Sequence, residues 1–175
     1  MDRKQLAQAI YNTSSLKGTF TLRSGQIANE YFDKYLFESD PALLNEITEV
    51  MKLSIPSETE ILAGLELGGI PIATVLSMKT GLAAAFTRKK AKEYGTCKLA
   101  EGANVSGKHV LIIEDVVTTG GAIIDGVREL RKLGGIIDTV LCVIQRDERA
   151  TGILAEQGMK LIPAFTMDEL HKAVK

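Results

Sequence analysis

The sequence has few cysteines, little net charge and no long apolar run. Only two of its 175 residues are cysteines, and Cys97 and Cys142 lie far apart without a Cys-x-x-Cys spacing, so we expect neither to be functional. The net charge of −1 argues against a nucleic-acid partner held by a broad basic face. No 18-residue apolar span is present, and the first residues, MDRKQLAQAIYN, are charged where a signal peptide needs an apolar core. We therefore expect a cytoplasmic protein without a membrane partner.

The hydrophobic content of 45% is enough to build one core without help from disulfides or metals. Helical periodicity is visible at residues 3–11 and again after Asp40, and GTFTLRSG and YFDKYLF between them resemble short strands. From Glu60 onward the pattern alternates. It predicts strands at ILAGL, LAAAFTR, HVLIIE, IDTVLCVIQ and KLIPAF, and helices at GIPIATVLSMKTG, GAIIDGVRELRKLGG, TGILAEQG and MDELHKAVK.

Such alternation predicts an α/β fold with a central, mostly parallel sheet that is flanked by helices. Thr166 and Glu169 have the spacing of a capping box before the last helix. No repeat, linker or low-complexity segment interrupts the chain, so we expect a single domain. Its parts are an N-terminal elaboration over 1–56, a core over 57–165 and a C-terminal helix over 166–175.

The stretch VLIIEDVVTTGGA, residues 110–122, combines a buried strand with two adjacent acids and a Thr-Gly turn. In an open α/β sheet ligands bind beyond the carboxyl ends of the strands, where we expect Glu114 and Asp115 to lie. Two neighbouring carboxylates repel each other, so they need an outside partner such as ribose hydroxyls or a hydrated cation. Threonine hydroxyls and backbone amides at a helix start suit a phosphate. Taken alone, the threonines or the glycines are equally typical of an ordinary capped turn.

At these residues the sequence resembles the type I phosphoribosyltransferases, which bind phosphoribosyl pyrophosphate with an apolar strand, two acids, two apolar residues and a Thr-Gly loop. The resemblance implies that fold, with the base-binding segment in residues 1–56 and the phosphoribosyl pyrophosphate-binding core over 57–165. It also implies that Glu114 and Asp115 bind the ribose hydroxyls. The segment from Val116 and Val117 onward would lead into the loop that holds the 5′-phosphate. The loop residues are Thr118, Thr119, Gly120, Gly121 and Ala122.

Three further segments are similar to the orotate phosphoribosyltransferases in particular. The first, FTLRSGQIANEYFD, resembles their N-terminal segment, so Arg23, Tyr31 and Phe32 would flank orotate together with Thr118. A basic residue beside a Ser-Gly turn and paired aromatics could flank a flat anionic ring, although aromatic strand residues are as often part of the core.

The second segment, TRKKAKEYGTCKLAEG, resembles the mobile catalytic loop of the orotate enzymes. Arg88, Lys89 and Lys92 match the family's cations, which would act on the pyrophosphate leaving group, whereas a cationic run without this resemblance would be read as a solvated loop. Tyr94 stands where a histidine is common in the family. A phenol donates a hydrogen bond at pH 7 but carries no positive charge.

The third segment, GLELGGIPIA, resembles the pyrophosphate loop, and Gly68 and Gly69 would turn backbone amides toward the diphosphate. Many members have a lysine where Gly68 stands, so here we expect the backbone alone to serve. The glycines could otherwise be a simple turn before a helix. Arg146 in VIQRDERATG matches a strand-end arginine of the orotate enzymes and would pair with the substrate carboxylate, unless it is merely exposed.

The resemblance implies transfer of a phosphoribosyl group from phosphoribosyl pyrophosphate to N1 of orotate, as in the synthesis of pyrimidine nucleotides. It implies Mg²⁺ that is held mainly by the substrate, with Asp115 near it through water and no direct protein ligand, and a homodimer whose mobile loops reach into the neighbouring site. Two alternatives stay open, namely transfer to another base such as a purine, and a regulator that binds the donor without catalysis.

Overall fold

The computed structural model describes residues 1–21, 25–89 and 99–175. Its helices are α1 Arg3–Ser14, α2 Lys34–Ser39, α3 Pro41–Lys52, α4 Gly69–Thr80, α5 Gly121–Lys132, α6 Arg149–Ala155 and α7 Met167–Ala173. Its strands are β1 Ser15–Thr21, β2 Ile27–Phe32, β3 Ile61–Leu65, β4 Ala83–Thr87, β5 Ala100–Gly102, β6 Val110–Val117, β7 Thr139–Gln145 and β8 Lys160–Thr166. In this described part of the chain no helix has the length and apolar character needed to cross a bilayer.

The central sheet has the strand order β5-β4-β3-β6-β7-β8. All neighbouring strands are parallel except β5, which is antiparallel to β4 at the edge. Every residue of β3 and β7 is buried, as expected for strands that are covered on both faces. The predicted α/β fold with a mostly parallel sheet is therefore confirmed. Strands β1 and β2 form a separate antiparallel pair.

Two apolar clusters lie on opposite faces of the sheet. Helices α1, α3, α4 and α7 cover one face, with Ile10, Ile47 and Leu76 fully buried among their residues. Helices α5 and α6 cover the other face through Leu130 and Leu154. The N-terminal and C-terminal helices also pack together, since the Tyr11 ring meets the His171 ring edge-on at 5.4 Å. The N-terminal segment is thus attached to the same face as α3 and α4.

The predicted strand YFDKYLF is wrong beyond Phe32, where a helix replaces it. The Asp33 carboxylate accepts a hydrogen bond from the Tyr35 amide at 3.1 Å and so caps α2, because a short acid at an N-cap satisfies a free amide. Phe37 then lies fully buried in the core, which fixes α2 against the rest of the protein. The edge strand β5 was not predicted from the sequence.

The predicted capping box before α7 is only half formed. The Thr166 hydroxyl accepts from the Glu169 amide at 3.1 Å, as predicted. The Glu169 carboxylate instead accepts from the Arg3 guanidinium at 2.6 Å, because the packing of α1 against α7 brings a stronger, charged donor to it.

Candidate active site

The turn between β6 and α5 presents a helix N-terminus to solvent. Gly120 has a φ of 79°, a left-handed conformation that favours glycine, and a side chain there would also press on Leu154. Thr118, Thr119 and Gly121 are exposed. The hydroxyls of the two threonines and the first amides of α5 therefore surround a position where the helix dipole favours an anion.

This turn lines a cavity of about 220 Å³, here called the loop cavity. Its lining also includes Lys34, Glu66, Lys89 and Glu114. A larger cavity of about 620 Å³ shares Glu66, Lys89 and Glu114 with it and extends to Arg88. The structure thus brings Glu114, Lys89 and the segment 116–122 together around one connected space.

Asp115 does not lie where the sequence was interpreted to place it. Strand β6 continues through both acids to Val117, and the side chain of Asp115 is 0% exposed, so the expected position of Asp115 at an open strand end is wrong. Consecutive strand residues point to opposite faces. Asp115 consequently lies on the same face as Ile113, toward α2 and α4, whereas Glu114 lines the loop cavity.

Inside the protein Asp115 has a partner that the sequence analysis missed. One carboxylate oxygen lies 2.5 Å from the Lys34 ammonium, and the other accepts the Val116 amide at 2.5 Å. The two acids therefore do not depend on an outside partner alone. Burial by itself would raise the pKa of Asp115, but hydrogen bonds from Glu114 and Lys34 outweigh it and lower the pKa. Of the two adjacent acids, Asp115 is therefore the ionised one.

A second buried acid, Glu38, lies next to Asp115. It is 7% exposed, and burial followed by the charge of Asp115 raises the pKa of Glu38 to about 9. Burial and the same charge raise the pKa of Glu114 as well. Lys34 and Glu38 are four residues apart on α2, so they share one face of that helix and reach the acid together. This spacing could have been noticed only once α2 had been recognised as a helix.

Gly68 and Gly69 open helix α4 beside these acids. A Cβ atom on Gly68 would collide with the Asp115 carboxylate and would come within 2.7 Å of Glu38 Oε1. A Cβ atom on Gly69 would collide with the carbonyl oxygen of Ile113. Both positions therefore need glycine for close packing, and the space that a side chain at 68 would fill is taken by acids from β6 and α2.

The two described cations of the predicted catalytic loop follow β4. The Arg88 amide donates to the carbonyl of Leu99 at 2.9 Å, and the Lys89 amide donates to the Glu66 carboxylate at 2.6 Å. Both side chains line the larger cavity. Lys92 and Tyr94 lie outside the described residues.

Among the predicted orotate-binding residues that the structure describes, Thr118 lines the loop cavity, whereas Tyr31, Phe32 and Arg146 do not. Tyr31 is 46% exposed, whereas Phe32 packs against the core beside Tyr11, so the two aromatic rings point to opposite faces of β2. The Arg146 amide donates to the Val117 carbonyl at 2.8 Å, but its side chain lines a separate cavity of about 590 Å³ with Thr166. Arg23 lies outside the described residues.

The other sequence predictions for single residues concern metal-binding and thiol chemistry. Cys142 is fully buried, and burial raises the pKa of its thiol well above the usual range, in agreement with a structural role. Among the described residues no three histidine, cysteine or acidic side chains are grouped so that they could hold a metal ion.

Comparison with known proteins assigns the family. The model of the phosphoribosyl transferase domain matches residues 37–161. An orotate phosphoribosyltransferase of Nocardioides sp. is 53% identical over 96% of this chain and 94% of its own length. A crystal structure of the Mycobacterium tuberculosis orotate phosphoribosyltransferase, in complex with Fe(III) dicitrate, has a TM-score of 0.87 and 29% identity, and covers 97% of this chain and 99% of that one.

A second structure of that mycobacterial enzyme contains 5-phospho-α-D-ribosyl 1-diphosphate, with a TM-score of 0.84 and 26% identity, and covers 98% of this chain and 99% of that one. The predicted fold and the predicted resemblance are thereby both confirmed. The chain belongs to the phosphoribosyl transferase family and, within it, to the orotate phosphoribosyltransferases.

Proposed function

We propose that this protein transfers the 5-phosphoribosyl group of phosphoribosyl pyrophosphate to N1 of orotate, giving orotidine 5′-monophosphate and pyrophosphate. The observation that carries the proposal is the Thr-Gly turn at the start of α5, which lines the loop cavity in a chain whose relatives are orotate phosphoribosyltransferases over nearly their full length. The reaction is a step in the synthesis of pyrimidine nucleotides, and we place it in the cytoplasm.

The donor would enter with its 5′-phosphate on the turn at Thr118 and Thr119. Exposed hydroxyls and free helix amides there satisfy phosphate oxygens without a protein cation. Two acids line the described part of the cavity, and Glu66 already accepts the Lys89 amide, so Glu114 is assigned to a ribose hydroxyl. Asp115 supports this site from behind, since it is fully buried against Lys34.

Departure of pyrophosphate leaves an electron-poor ribose, so the protein must neutralise the leaving group and exclude water rather than supply a nucleophile. Arg88 and Lys89 line the space that adjoins the loop cavity and are assigned to this task, together with Lys92 and Tyr94 of the same loop. Backbone amides at Gly68 and Gly69 would serve the same diphosphate.

Mg²⁺ would neutralise part of the diphosphate charge when it enters with the donor. The donor set fits a metal that is held mainly through substrate oxygens, because Asp115 is already paired with Lys34 and, of the two acids in the described lining, Glu66 already accepts the Lys89 amide. Orotate would lie between the N-terminal strands and the end of β7, with Arg146 on its carboxylate and Arg23 and Tyr31 on its other side. Phe32, whose ring packs on the core, would support this strand from behind. We further propose a homodimer in which each catalytic loop completes the neighbouring site.

The test is to offer the purified protein phosphoribosyl pyrophosphate, Mg²⁺ and a panel of bases. We expect orotate to be consumed only when the donor and a divalent metal are both present. Faster use of adenine, guanine or hypoxanthine would replace the orotate assignment with a purine one. Binding of the donor without consumption of any base would instead indicate a regulator.

A further inference from the structure

Lys34 lies where the proposed diphosphate site meets the acids of β6. Its ammonium is 2.5 Å from Asp115, and Asp115 itself fills the space above Gly68 at the start of α4. The same side chain lines the loop cavity and is one-third exposed. Lys34 therefore connects a buried acid, which packs on Gly68, to the open space beside the Thr-Gly turn.

The charges around the loop cavity need a fixed cation. The charged side chains in its described lining are the acids Glu66 and Glu114 and the cations Lys34 and Lys89. Asp115 adds a negative charge directly behind this lining, and a diphosphate that approached it unshielded would be repelled. Lys89 is exposed, whereas Lys34 is held by an ion pair with a buried acid. A cation that is already positioned loses less conformational entropy when it binds an anion.

Helix α2 holds this lysine in place by three contacts. Asp33 caps the helix, Phe37 anchors it in the core, and Asp115 pairs with the ammonium. A lysine ammonium has three donor hydrogens, so its ion pair with Asp115 leaves donors for oxygen atoms in the cavity. The charge of Asp115 raises the pKa of Lys34 although burial opposes it, which keeps the ammonium charged.

We propose that Lys34 binds the diphosphate of the phosphoribosyl donor and that Asp115 is the residue that positions its ammonium group. The inference rests on the proposed function, because it assigns Lys34 to the leaving-group end of that site. It adds a cation from the N-terminal segment to the loop cations Arg88 and Lys89, in the region where the chain has glycine at position 68.

The experiment measures binding of inorganic pyrophosphate with Mg²⁺, and separately of ribose 5-phosphate, by calorimetry on the whole protein. We expect Lys34→Met to weaken pyrophosphate about tenfold to a hundredfold, the loss typical of one charge-assisted hydrogen bond, and to leave ribose 5-phosphate unchanged. Lys34→Arg should retain most of the pyrophosphate affinity. Lys79→Met is the matched control, because Lys79 is also 2.5 Å from an acid, Glu49, and only 12% exposed, but lies away from the cavity.

Melting curves of each variant separate a binding defect from a folding defect. Lys34→Gln is the second variant, since its amide can still donate to Asp115 while its charge is lost, and it should show the same pyrophosphate defect. Pyrophosphate binding by Lys34→Met at the parent's affinity would overturn the proposal, and so would an equal loss for ribose 5-phosphate. Transfer to orotate by the parent protein is measured separately, so the proposed function is tested independently of the role of Lys34.

Discussion

Replacing Glu38 with glutamine should make the stability of the protein less sensitive to alkaline pH. In the folded chain burial and the neighbouring Asp115 raise the pKa of Glu38 to about 9, compared with 4.5 for an ordinary glutamate. The folded protein therefore keeps a proton that the unfolded chain releases. The stabilising contribution of that proton is fully present below pH 4.5 and is lost progressively as the pH rises to about 9. Glutamine has no such proton, so the variant avoids the loss.

The magnitude follows from the width of this window. Each pH unit inside it changes the free energy of unfolding by at most about 1.4 kcal/mol, so the step from pH 6 to pH 8 is linked to no more than about 3 kcal/mol. Glu38 interacts strongly with Asp115, and we therefore take about 1 to 3 kcal/mol as the expected range. For a chain of this length that corresponds to roughly 2 to 12 °C in melting temperature.

The other charged groups that act on Glu38 do not imitate this effect. Asp115 has a lowered pKa and titrates below the window, Lys34 has a raised pKa and titrates above it, and Asp33 contributes least among them. The pKa of Glu114 is raised too, but Glu114 is present in both proteins, so to first order its contribution cancels in the difference between them. The difference between parent and variant consequently isolates the proton on Glu38.

The assay is thermal melting of the parent and of Glu38→Gln at several pH values between 6 and 9. The melting temperature of the variant should rise relative to that of the parent as the pH rises. Glu49→Gln is the control, because the Lys79 partner lowers the pKa of exposed Glu49 and its titration ends below this range. If the melting temperatures of parent and Glu38→Gln change in parallel from pH 6 to pH 9, Glu38 does not hold a proton in the folded protein.

Three further predictions concern the site itself. Arg146→Ala should raise the KM for orotate about tenfold to a hundredfold, with little change in the KM for the donor, because one charge-assisted contact is lost. Steady-state kinetics with each substrate varied in turn measures both constants. An unchanged orotate KM would mean that Arg146 lies outside the site. Asp115→Asn should lower both turnover and stability, since it leaves Lys34 without its counter-ion. Removing one partner of a buried pair costs about 3 to 5 kcal/mol, and we expect a smaller loss because Lys34 is one-third exposed. A melting temperature equal to the parent's would mean that the ion pair contributes nothing to stability. Lys92→Ala and Asp115→Asn proteins, unfolded together and reassembled, should recover activity in roughly a quarter of all sites if the loop acts across a dimer, and none if it acts within its own subunit.

The sequence predicted the sheet and the Thr-Gly turn well because both depend on local patterns. Strands such as ILAGL are short apolar runs that only a buried position explains, and Gly120 follows two threonines where a helix begins. The helix α2 was missed because the aromatic residues of YFDKYLF favour a strand. The structure shows that the Asp33 cap and the burial of Phe37 outweigh that preference.

The two acids show why a site can be located from sequence while its internal arrangement cannot. An acid inside a strand is disfavoured unless a partner stabilises it, so ending the strand at Glu114, before Asp115, was the natural interpretation while no partner was known. Lys34, far away in sequence, supplies that partner only after α2 and β6 have been brought together. The alternation of strand residues then separates the acids, so that Glu114 meets the cavity and Asp115 meets α2. The adjacent carboxylates that looked like one unit in the sequence therefore have different tasks, one toward the ligand and one toward the lysine behind it.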